Sequence, residues 1–227
     1  MTQVFNLSVL VCTLTLFVSC KENTSNESKE TNTWNPVSNV QILSNPSEVN
    51  SQVPRLFGTE DALYVSWITT TDTVSSLHYA SYQNERWSDV HTVAEGSDWF
   101  VNWADFPAIS ANKETILTSH LQKSADETYS YDVKLNLFRN HLPSPAVDST
   151  KRNVQFIKED FILHNDGTKS EHGFVSMMPY QEDSFFVTWL DGRHTVGNSH
   201  ANHEHQTDGG AMTLRSAVVP ATGEIAQ

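Results

Sequence analysis

Two short segments of the sequence combine residue types that bind polar ligands. Asn102, Trp103 and Asp105 lie within one stretch and offer an amide, a flat aromatic face and a carboxylate. Asp191 and Arg193 flank a glycine that permits a tight turn, and a guanidinium can form two parallel hydrogen bonds with a carboxylate. Such a mixture of groups is typical of sites that bind a sugar-like molecule.

Structural roles compete with a binding role for most of these candidates. Trp103 could equally pack between neighbouring sheets, and Asp191 and Arg193 could pair with each other to hold their turn. His120 and His172 complete the set of candidate binding residues. His120 fits a hydrogen-bonded core histidine better than a catalytic one, because it replaces a tryptophan at the end of a predicted strand.

A second group of titratable residues lies in or next to one long insertion. It contains four histidines and two aspartates: His194, His200, His203, His205, Asp191 and Asp208. Imidazoles with nearby carboxylates suit zinc or another transition metal. Their spacing matches no compact zinc motif, and the surrounding Asn, Ser and Gly are typical of a solvated loop. We therefore assign no metal ligand and no cofactor from the sequence.

A threefold repeat supplies the elements that must position the candidate residues. Pro54–Trp67 recurs as Pro107–His120 and, more loosely, as Ser176–Trp189. Each copy reads as a short apolar strand, a polar turn and a strand of alternating β-branched or aromatic residues, and a third strand-like segment follows. All-β self-similarity at roughly fifty-residue spacing predicts β-propeller blades, each a four-stranded antiparallel sheet.

We expect blades at about residues 53–93, 106–157 and 173–227 within a partial propeller that spans residues 36–227. The third blade has only three predicted strands, and a closed propeller needs at least four blades. The sequence is therefore interpreted as the first half of a longer protein. Val40–Leu43 is a further strand candidate, expected to be the outer strand that closes the ring. Loops at one face of the blades would gather the candidate residues at the mouth of the central channel.

The N-terminus has the features of an exported lipoprotein. Residues 1–19 are apolar but too short to span a bilayer comfortably. FVSC at residues 17–20 resembles the bacterial lipobox, in which Cys20 would be lipidated; the alternative is a buried apolar strand or helix. Residues 20–35 are polar and charged, which predicts a flexible tether. We expect anchoring to the bacterial outer membrane through the lipid alone.

The net charge argues against a nucleic-acid-binding protein, and the cysteine content argues against a disulfide-stabilised domain. The net charge of −13 argues against nucleic-acid binding, because phosphates require clustered Lys and Arg. Cys12 and Cys20 are the two cysteines; Cys12 lies in the N-terminal apolar segment and Cys20 at the predicted cleavage site. The mature domain therefore has no disulfide framework.

The mature region as a whole resembles the sialidase-like, BNR-repeat propellers of exported bacterial proteins. The strand repeat carries the resemblance together with NWADFP at 102–107, HGFVSM at 172–177 and WLDGR at 189–193. The resemblance implies a six-bladed propeller, of which about two and a half blades are present. It also implies a glycan or glycoconjugate as the ligand.

Two function hypotheses follow from the resemblance. One is a glycoside hydrolase of sialidase type, in which Asp72 lies near the position of the family's general acid. Gln52, however, aligns where the family carries the first of three arginines that clamp the substrate carboxylate. A neutral amide cannot form that ion pair. The substitution favours the second hypothesis, a non-catalytic propeller that binds a glycan at the channel mouth.

Overall fold

The computed structural model describes residues 40–47, 50–140, 154–195 and 210–225, and these residues form twelve β-strands and no helix. The all-β fold class predicted from the repeat is confirmed. The strands are β1 (Ser51–Gly58), β2 (Leu63–Thr71), β3 (Val74–Gln83), β4 (Arg86–Trp87), β5 (His91–Gly96), β6 (Ile109–Asn112), β7 (Thr115–Lys123), β8 (Tyr131–Arg139), β9 (Gln155–Ile162), β10 (His172–Tyr180), β11 (Ser184–Asp191) and β12 (Thr213–Pro220).

Three antiparallel sheets follow one another along the chain, and sequential strands pair within each of them. The first sheet has the order β1-β2-β3, and β4 and β5 both pair with β3, so its fourth strand is interrupted. The second sheet has the order β6-β7-β8-β9 and the third β10-β11-β12. This up-and-down pairing in sheets of about four strands is the architecture of propeller blades.

The segment predicted to be the ring-closing strand is not a strand. The chain divides into two compact units, Met1–Leu43 and Ser44–Gln227. In the first unit the described residues Val40–Leu43 are irregular, and the side chains of Val40 and Ile42 are 84% and 92% exposed. The strand predicted at Val40–Leu43 from its apolar residues is therefore wrong. None of the described residues forms a helix of the length and apolarity needed to cross a membrane.

The hydroxyl residue shared by the three repeats ties neighbouring segments together. The Ser66 hydroxyl in β2 donates to the carbonyl of Pro107 at 3.0 Å, just before the second sheet begins. Ser119, its counterpart in β7, accepts a hydrogen bond from the backbone N–H of Ala108 at 3.1 Å. Both hydroxyls are buried, so these bonds satisfy groups that would otherwise be costly to remove from water.

The second sheet lies between the other two; its strands β6, β7 and β8 are buried on both faces, whereas the outer strand β9 is mostly exposed. Its first strand, β6, contacts β1 and β2 on one side and β10 and β11 on the other. Ile116 and Phe138 face the core shared with the first sheet, whereas Leu117 and Leu135 face the core shared with the third. Alternating apolar residues in β7 and β8 therefore fill two cores and hold the three sheets as one unit.

Candidate functional site

Titratable side chains meet where strands of the second and third sheets begin and end. His172 opens β10 and Asp191 closes β11, and the two are direct cross-strand partners. Asp132 lies at the start of β8, and His164 follows the end of the neighbouring strand β9. A parallel bridge joins the start of β8 to the residue before β10. The antiparallel pairing therefore brings all four residues to one edge.

A buried ion pair lies at the end of β11. Arg193 donates from Nε to Asp191 Oδ1 at 2.7 Å and from Nη2 to Oδ2 at 2.6 Å, the two-pronged geometry of strong guanidinium–carboxylate pairs. Trp189 adds an indole N–H to Asp191 Oδ2 at 3.0 Å. Burial opposes ionisation of Asp191, but these donors outweigh it and hold the pKa of its carboxyl well below the usual range. The turn pair considered in the sequence is thus present.

Two imidazole rings are stacked between carboxylates. The ring centroids of His164 and His172 are 3.6 Å apart, with 11° between their planes. At one edge of the stack, Asp166 Oδ2 lies 3.1 Å from His164 Nδ1 and 3.2 Å from His172 Nε2. At the other edge, Asp132 Oδ1 lies 3.7 Å from His164 Nε2 and 4.0 Å from His172 Nδ1. Both edges of the stack therefore face an anionic group.

Asp166 connects the stack to the ion pair. Its Oδ2 also accepts Arg193 Nη2 at 3.0 Å, and its Oδ1 accepts the hydroxyl and, at 2.9 Å, the amide of Thr168. Burial raises the pKa of Asp166, but the bonds from Thr168 and the nearby histidines lower it to about 2. Burial and the charge of His172 lower the pKa of His164, which is therefore neutral at pH 7.

The network forms part of the wall of a cleft of about 540 Å³ between the end of β9 and β12. Arg215 projects from β12, and its Nε lies 3.5 Å from Asp191 Oδ2 without a hydrogen-bond partner. The side chains of Arg193 and Arg215 are 21% and 38% exposed, whereas that of Asp191 is inaccessible. The lining residues include Ile162, His164, Asn165, Trp189, Arg193, Leu214, Arg215 and Ile225.

A second polar group lies at the bulge near the start of β10. The register shifts between Gly173 and Ser176, and Phe174 has a φ of 54°. The displaced N–H of Phe174 donates to Asp105 Oδ2 at 2.6 Å. Burial raises the pKa of Asp105 to about 6. The hydrogen bond from Phe174 lowers this pKa, whereas the charge of Glu171 raises it further. Asp105 thus contacts β10 two residues after His172, which opens that strand.

Glu171 is held by the phenol of Tyr131, whose hydroxyl donates to Oε1 at 2.5 Å. Burial and this carboxylate raise the pKa of Tyr131, so the phenol keeps its proton. Asp105 and Glu171 are thus two carboxyl groups in different environments. The void that Asp105 lines measures only about 10 Å³, too small to admit a sugar.

Asn102 and Trp103 occupy the connection between β5 and β6. The Asn102 side-chain oxygen accepts the backbone N–H groups of Ala104 at 2.8 Å and Asp105 at 3.1 Å, and so closes an Asx-type turn. Trp103 is 86% exposed, so it does not pack between sheets. Its indole is available to a ligand, but none of the described contacts joins it to the ion network.

His120 has the surroundings of a core histidine. Its ring is stacked on Trp99 with a centroid separation of 4.1 Å, and it lies 3.4 Å from the amide of Asn136. Burial and the charge of Lys134 lower the pKa of His120 to about 3. The imidazole is therefore neutral and enclosed, which is the environment of a core histidine.

The remaining sequence candidates lie away from the ion network or outside the described residues. Asp72 is exposed in the turn between β2 and β3, where its φ of 55° is one that aspartate tolerates, and its catalytic role stays a prediction. Cys20 and most of the histidine-rich insertion, including His200, His203 and His205, fall outside the described residues.

Sequence reasoning missed four members of this site: Asp132, His164, Asp166 and Arg215. The pattern His-x-Asp in LHNDG, eight residues before His172, was an available signal for two of them. Asp132 and Arg215 carried none, because each is one polar position in an alternating strand. Their role follows from the register between strands, which a single sequence does not show.

Within the part of the chain that the structure describes, two groups of side chains could hold a metal ion. The first is Asp132, His164 and His172, and the second is Asp166, His172 and Asp191; in each, the donor atoms lie within 4.8 Å of one another. Arg193 already donates to both carboxylates of the second group. A guanidinium and a metal ion compete for the same oxygen lone pairs, so the first group is the better candidate.

Comparisons with known proteins add a likeness of fold. No protein-family model and no curated protein sequence matches the chain. A solved structure that resembles it is a GH32 β-fructofuranosidase from Bombyx mori, determined as a mutant in complex with sucrose. The TM-score is 0.45 at 10% identity, and the alignment covers 78% of this chain but only 36% of that one. The function proposed below therefore rests on the chemistry of the site.

Proposed function

We propose that this protein binds a polar, glycan-type ligand in the cleft between the end of β9 and β12. The observation that carries the proposal is the composition of that cleft: two arginines and a neutral imidazole stand beside an indole and aliphatic side chains. Sugars present hydroxyl edges and apolar faces, and a mixed wall of this kind can satisfy both. A volume of about 540 Å³ lies within the ordinary range of ligand pockets.

Preorganisation of the cationic wall supports this proposal. Arg193 is fixed by both oxygens of Asp191 and by Asp166, so little side-chain entropy is lost when it meets a ligand. Arg215 lies beside the same carboxylate, and among the described residues its ion-pair contact is the 3.5 Å approach of Nε to Asp191 Oδ2. Its donors therefore remain the more available of the two for ligand hydroxyl or carboxyl groups.

Arg215 provides the test. The full chain is titrated against a panel of immobilised neutral and acidic oligosaccharides, with Arg215→Gln compared to wild type. We expect a loss of affinity of about tenfold or more, the usual effect of removing a charged hydrogen bond. Arg139→Gln is the matched control. Arg139 is half-exposed and, like Arg215, has a long contact with a carboxylate, that of Glu114 at 3.8 Å, but it lies at the far end of β8 from the cleft. Absence of any glycan binding by wild type, or equal affinity in both variants, would contradict the proposal.

Hydrolysis is the second candidate, and the raised pKa of Asp105 is the observation that favours it. A carboxyl with a pKa of about 6 near a second carboxylate is the arrangement of a proton donor. Asp105 faces only about 10 Å³ of space, however, and Gln52 is an exposed amide. We therefore propose binding without hydrolysis, with little or no sialic acid released from standard sialosides. Efficient release that Asp72→Asn or Asp105→Asn abolishes would replace this proposal with the hydrolase.

The proposal extends to the cell envelope. The apolar residues 1–19, Cys20 and the polar residues 20–35 support a lipid-anchored module that presents its cleft outside the inner membrane. Its partners would then be glycans or glycoconjugates reached from the outer membrane.

A further inference from the structure

We infer that Asp132, His164 and His172 form a site for a divalent transition-metal ion of the zinc class. One donor atom of each residue lies within 4.8 Å of the other two. The facing atoms are Asp132 Oδ1, His164 Nε2 at 3.7 Å from it and His172 Nδ1 at 4.0 Å from it. Imidazole nitrogen together with carboxylate oxygen is a donor set that Zn²⁺ prefers, whereas Ca²⁺ and Mg²⁺ favour oxygen alone. This group is distinct from the histidine-rich insertion.

The tautomer of His164 is the first step of the argument. Asp166 Oδ2 lies 3.1 Å from His164 Nδ1 and is a pure acceptor when ionised, so Nδ1 carries the proton. Nε2 of His164 then carries a lone pair. That atom is buried without a hydrogen-bond partner and faces Asp132 Oδ1 at 3.7 Å. Two electron-rich atoms that face each other in a buried place are stabilised by a cation between them.

The distances fit a metal ion better than a direct hydrogen bond. A separation of 3.7 Å between His164 Nε2 and Asp132 Oδ1 is too long for a hydrogen bond. Ligand atoms that share a tetrahedral zinc ion lie about 3.3–3.5 Å apart, given metal–ligand bonds of about 2.0–2.1 Å. A shift of a few tenths of an ångström would therefore bring these two atoms onto one ion.

His172 requires a larger adjustment. Its ring is nearly parallel to that of His164, and two parallel rings cannot both direct in-plane lone pairs at one ion. The carbonyl of Ser170, 3.2 Å from His172 Nδ1, can only accept a hydrogen bond, so this contact places a proton on Nδ1. Metal binding therefore requires the other tautomer, in which Nε2 donates to Asp166 Oδ2 at 3.2 Å, and gives up the contact with Ser170 as the ring tilts out of the stack. The terminal torsion of histidine is broad, so this tilt is accessible.

The charge balance selects this edge of the stack. Arg193 and Arg215 lie beside Asp191 at the opposite edge. Among the described residues, the cationic or potentially cationic groups within 4.0 Å of Asp132 are the two histidines. A divalent ion there would connect β8, the β9–β10 connection and β10, and would cross-link the second and third sheets in a domain without a disulfide.

Metal content and melting temperature test the inference. The full chain is stripped with a chelator, reloaded with ZnCl₂, desalted and analysed by elemental mass spectrometry. We expect about one zinc per chain, and a melting temperature about 5–10 °C higher at a hundredfold excess over Kd. Asp132→Asn and His164→Gln should each weaken zinc binding by about a hundredfold or more. CaCl₂ should give no comparable shift.

Two controls make the result decisive. Asp126→Asn removes an exposed carboxylate from the β7–β8 connection and should leave zinc binding unchanged. The triple variant His200→Gln, His203→Gln, His205→Gln should also retain the zinc. The inference is overturned by wild-type protein that holds no zinc at micromolar free metal, by zinc that only the triple variant loses, or by Asp132→Asn and His164→Gln chains that keep wild-type affinity. Circular dichroism of the stripped variants separates lost binding from lost folding.

Discussion

The histidines of this chain show how surroundings, and not residue type, decide chemistry. His120 and His164 are both buried and neutral, yet His120 is stacked on an indole and His164 faces carboxylates on two sides. The Asp160 carboxylate, 3.6 Å from His120 Nε2, is already paired with Lys134, whereas His164 has a nitrogen lone pair beside Asp132. A sequence shows two histidines in either case, because partners from other strands make the difference.

His120 predicts how stability depends on pH. Its pKa is about 3 in the folded chain and near 6.5 when unfolded, so between these values the unfolded state binds more protons. Its contribution to stability is full above about pH 6.5 and falls as pH decreases towards 3. Asp98, Lys134 and Asp160 are the charged groups that face it.

The measurement is the free energy of unfolding by urea at pH 7, 6 and 5 for wild type and His120→Gln. The difference between the two proteins should change by up to about 1.4 kcal/mol per pH unit below pH 6, with wild type losing more stability. Carboxylates that titrate in both proteins cancel in this difference. His194→Gln, an exposed position, is the control and should follow wild type. Parallel curves for wild type and His120→Gln would refute the assignment.

The ion pair in the turn after β11 was predictable from the sequence, whereas the imidazole stack and its carboxylates were not. Asp191 and Arg193 are two positions apart, so their pairing follows from local geometry. Asp132 is more than thirty positions from His164, and they meet only through the pairing of β8 with β9. Long-range register is set by the whole hydrophobic pattern, which the sequence shows only after the strands have been aligned.

At the scale of elements, the repeat predicted the strands and their order but not their interruptions. The apolar and β-branched residues of β2, β7 and β11 were readable as strands, and residues 115–121 of β7 are all buried because the second sheet packs against both neighbours. The break between β4 and β5 and the bulge in β10 were not, since no glycine or proline marks residues 88–90 and Phe174 adopts a positive φ without being glycine. Strand breaks and bulges that depend on the pairing with a neighbouring strand are therefore not marked by characteristic residues in the local sequence.

The bulge in β10 makes Gly173 a sensitive position. A Cβ at Gly173 would lie 2.2 Å from Asp105 Oδ2 and 3.1 Å from Tyr131 Cε2, and Asp105 is held there by the Phe174 N–H. Gly173→Ala should therefore destabilise the protein by about 1–3 kcal/mol through overpacking.

Thermal melting of the purified chain provides the check, with an expected decrease of about 2–4 °C per kcal/mol for a domain of this size. Gly58→Ala is the matched control, because its Cβ would meet only Leu63 Cδ2 at 3.4 Å. That substitution should be neutral or slightly stabilising, as alanine restricts the unfolded chain. Equal melting temperatures for Gly173→Ala and wild type would show that the carboxylate moves away freely.

At the scale of the whole molecule, the acidic surface and the cationic cleft are separate features. The chain carries a net charge of −13, yet two arginines line the cleft beside buried carboxylates. The net charge argues against nucleic acid as a partner but gives no information about the cleft, because local potential depends on which charges are buried. The fold class was predictable from the repeat, whereas the cleft was not.

Attachment to the membrane is the last whole-molecule property that can be tested directly. Residues 1–19 are too short and Cys20 is well placed for a lipid, so we expect anchoring to depend on that cysteine. Cys20→Ala should move the protein from the membrane fraction to the soluble fraction or leave an uncleaved precursor, with a matching change in intact mass. Cys12→Ala is the control, because it alters the same apolar segment without removing the acceptor thiol, and it should fractionate as wild type. A Cys20→Ala protein with unchanged mass and unchanged membrane association would show that the apolar segment, and not a lipid, provides the anchor.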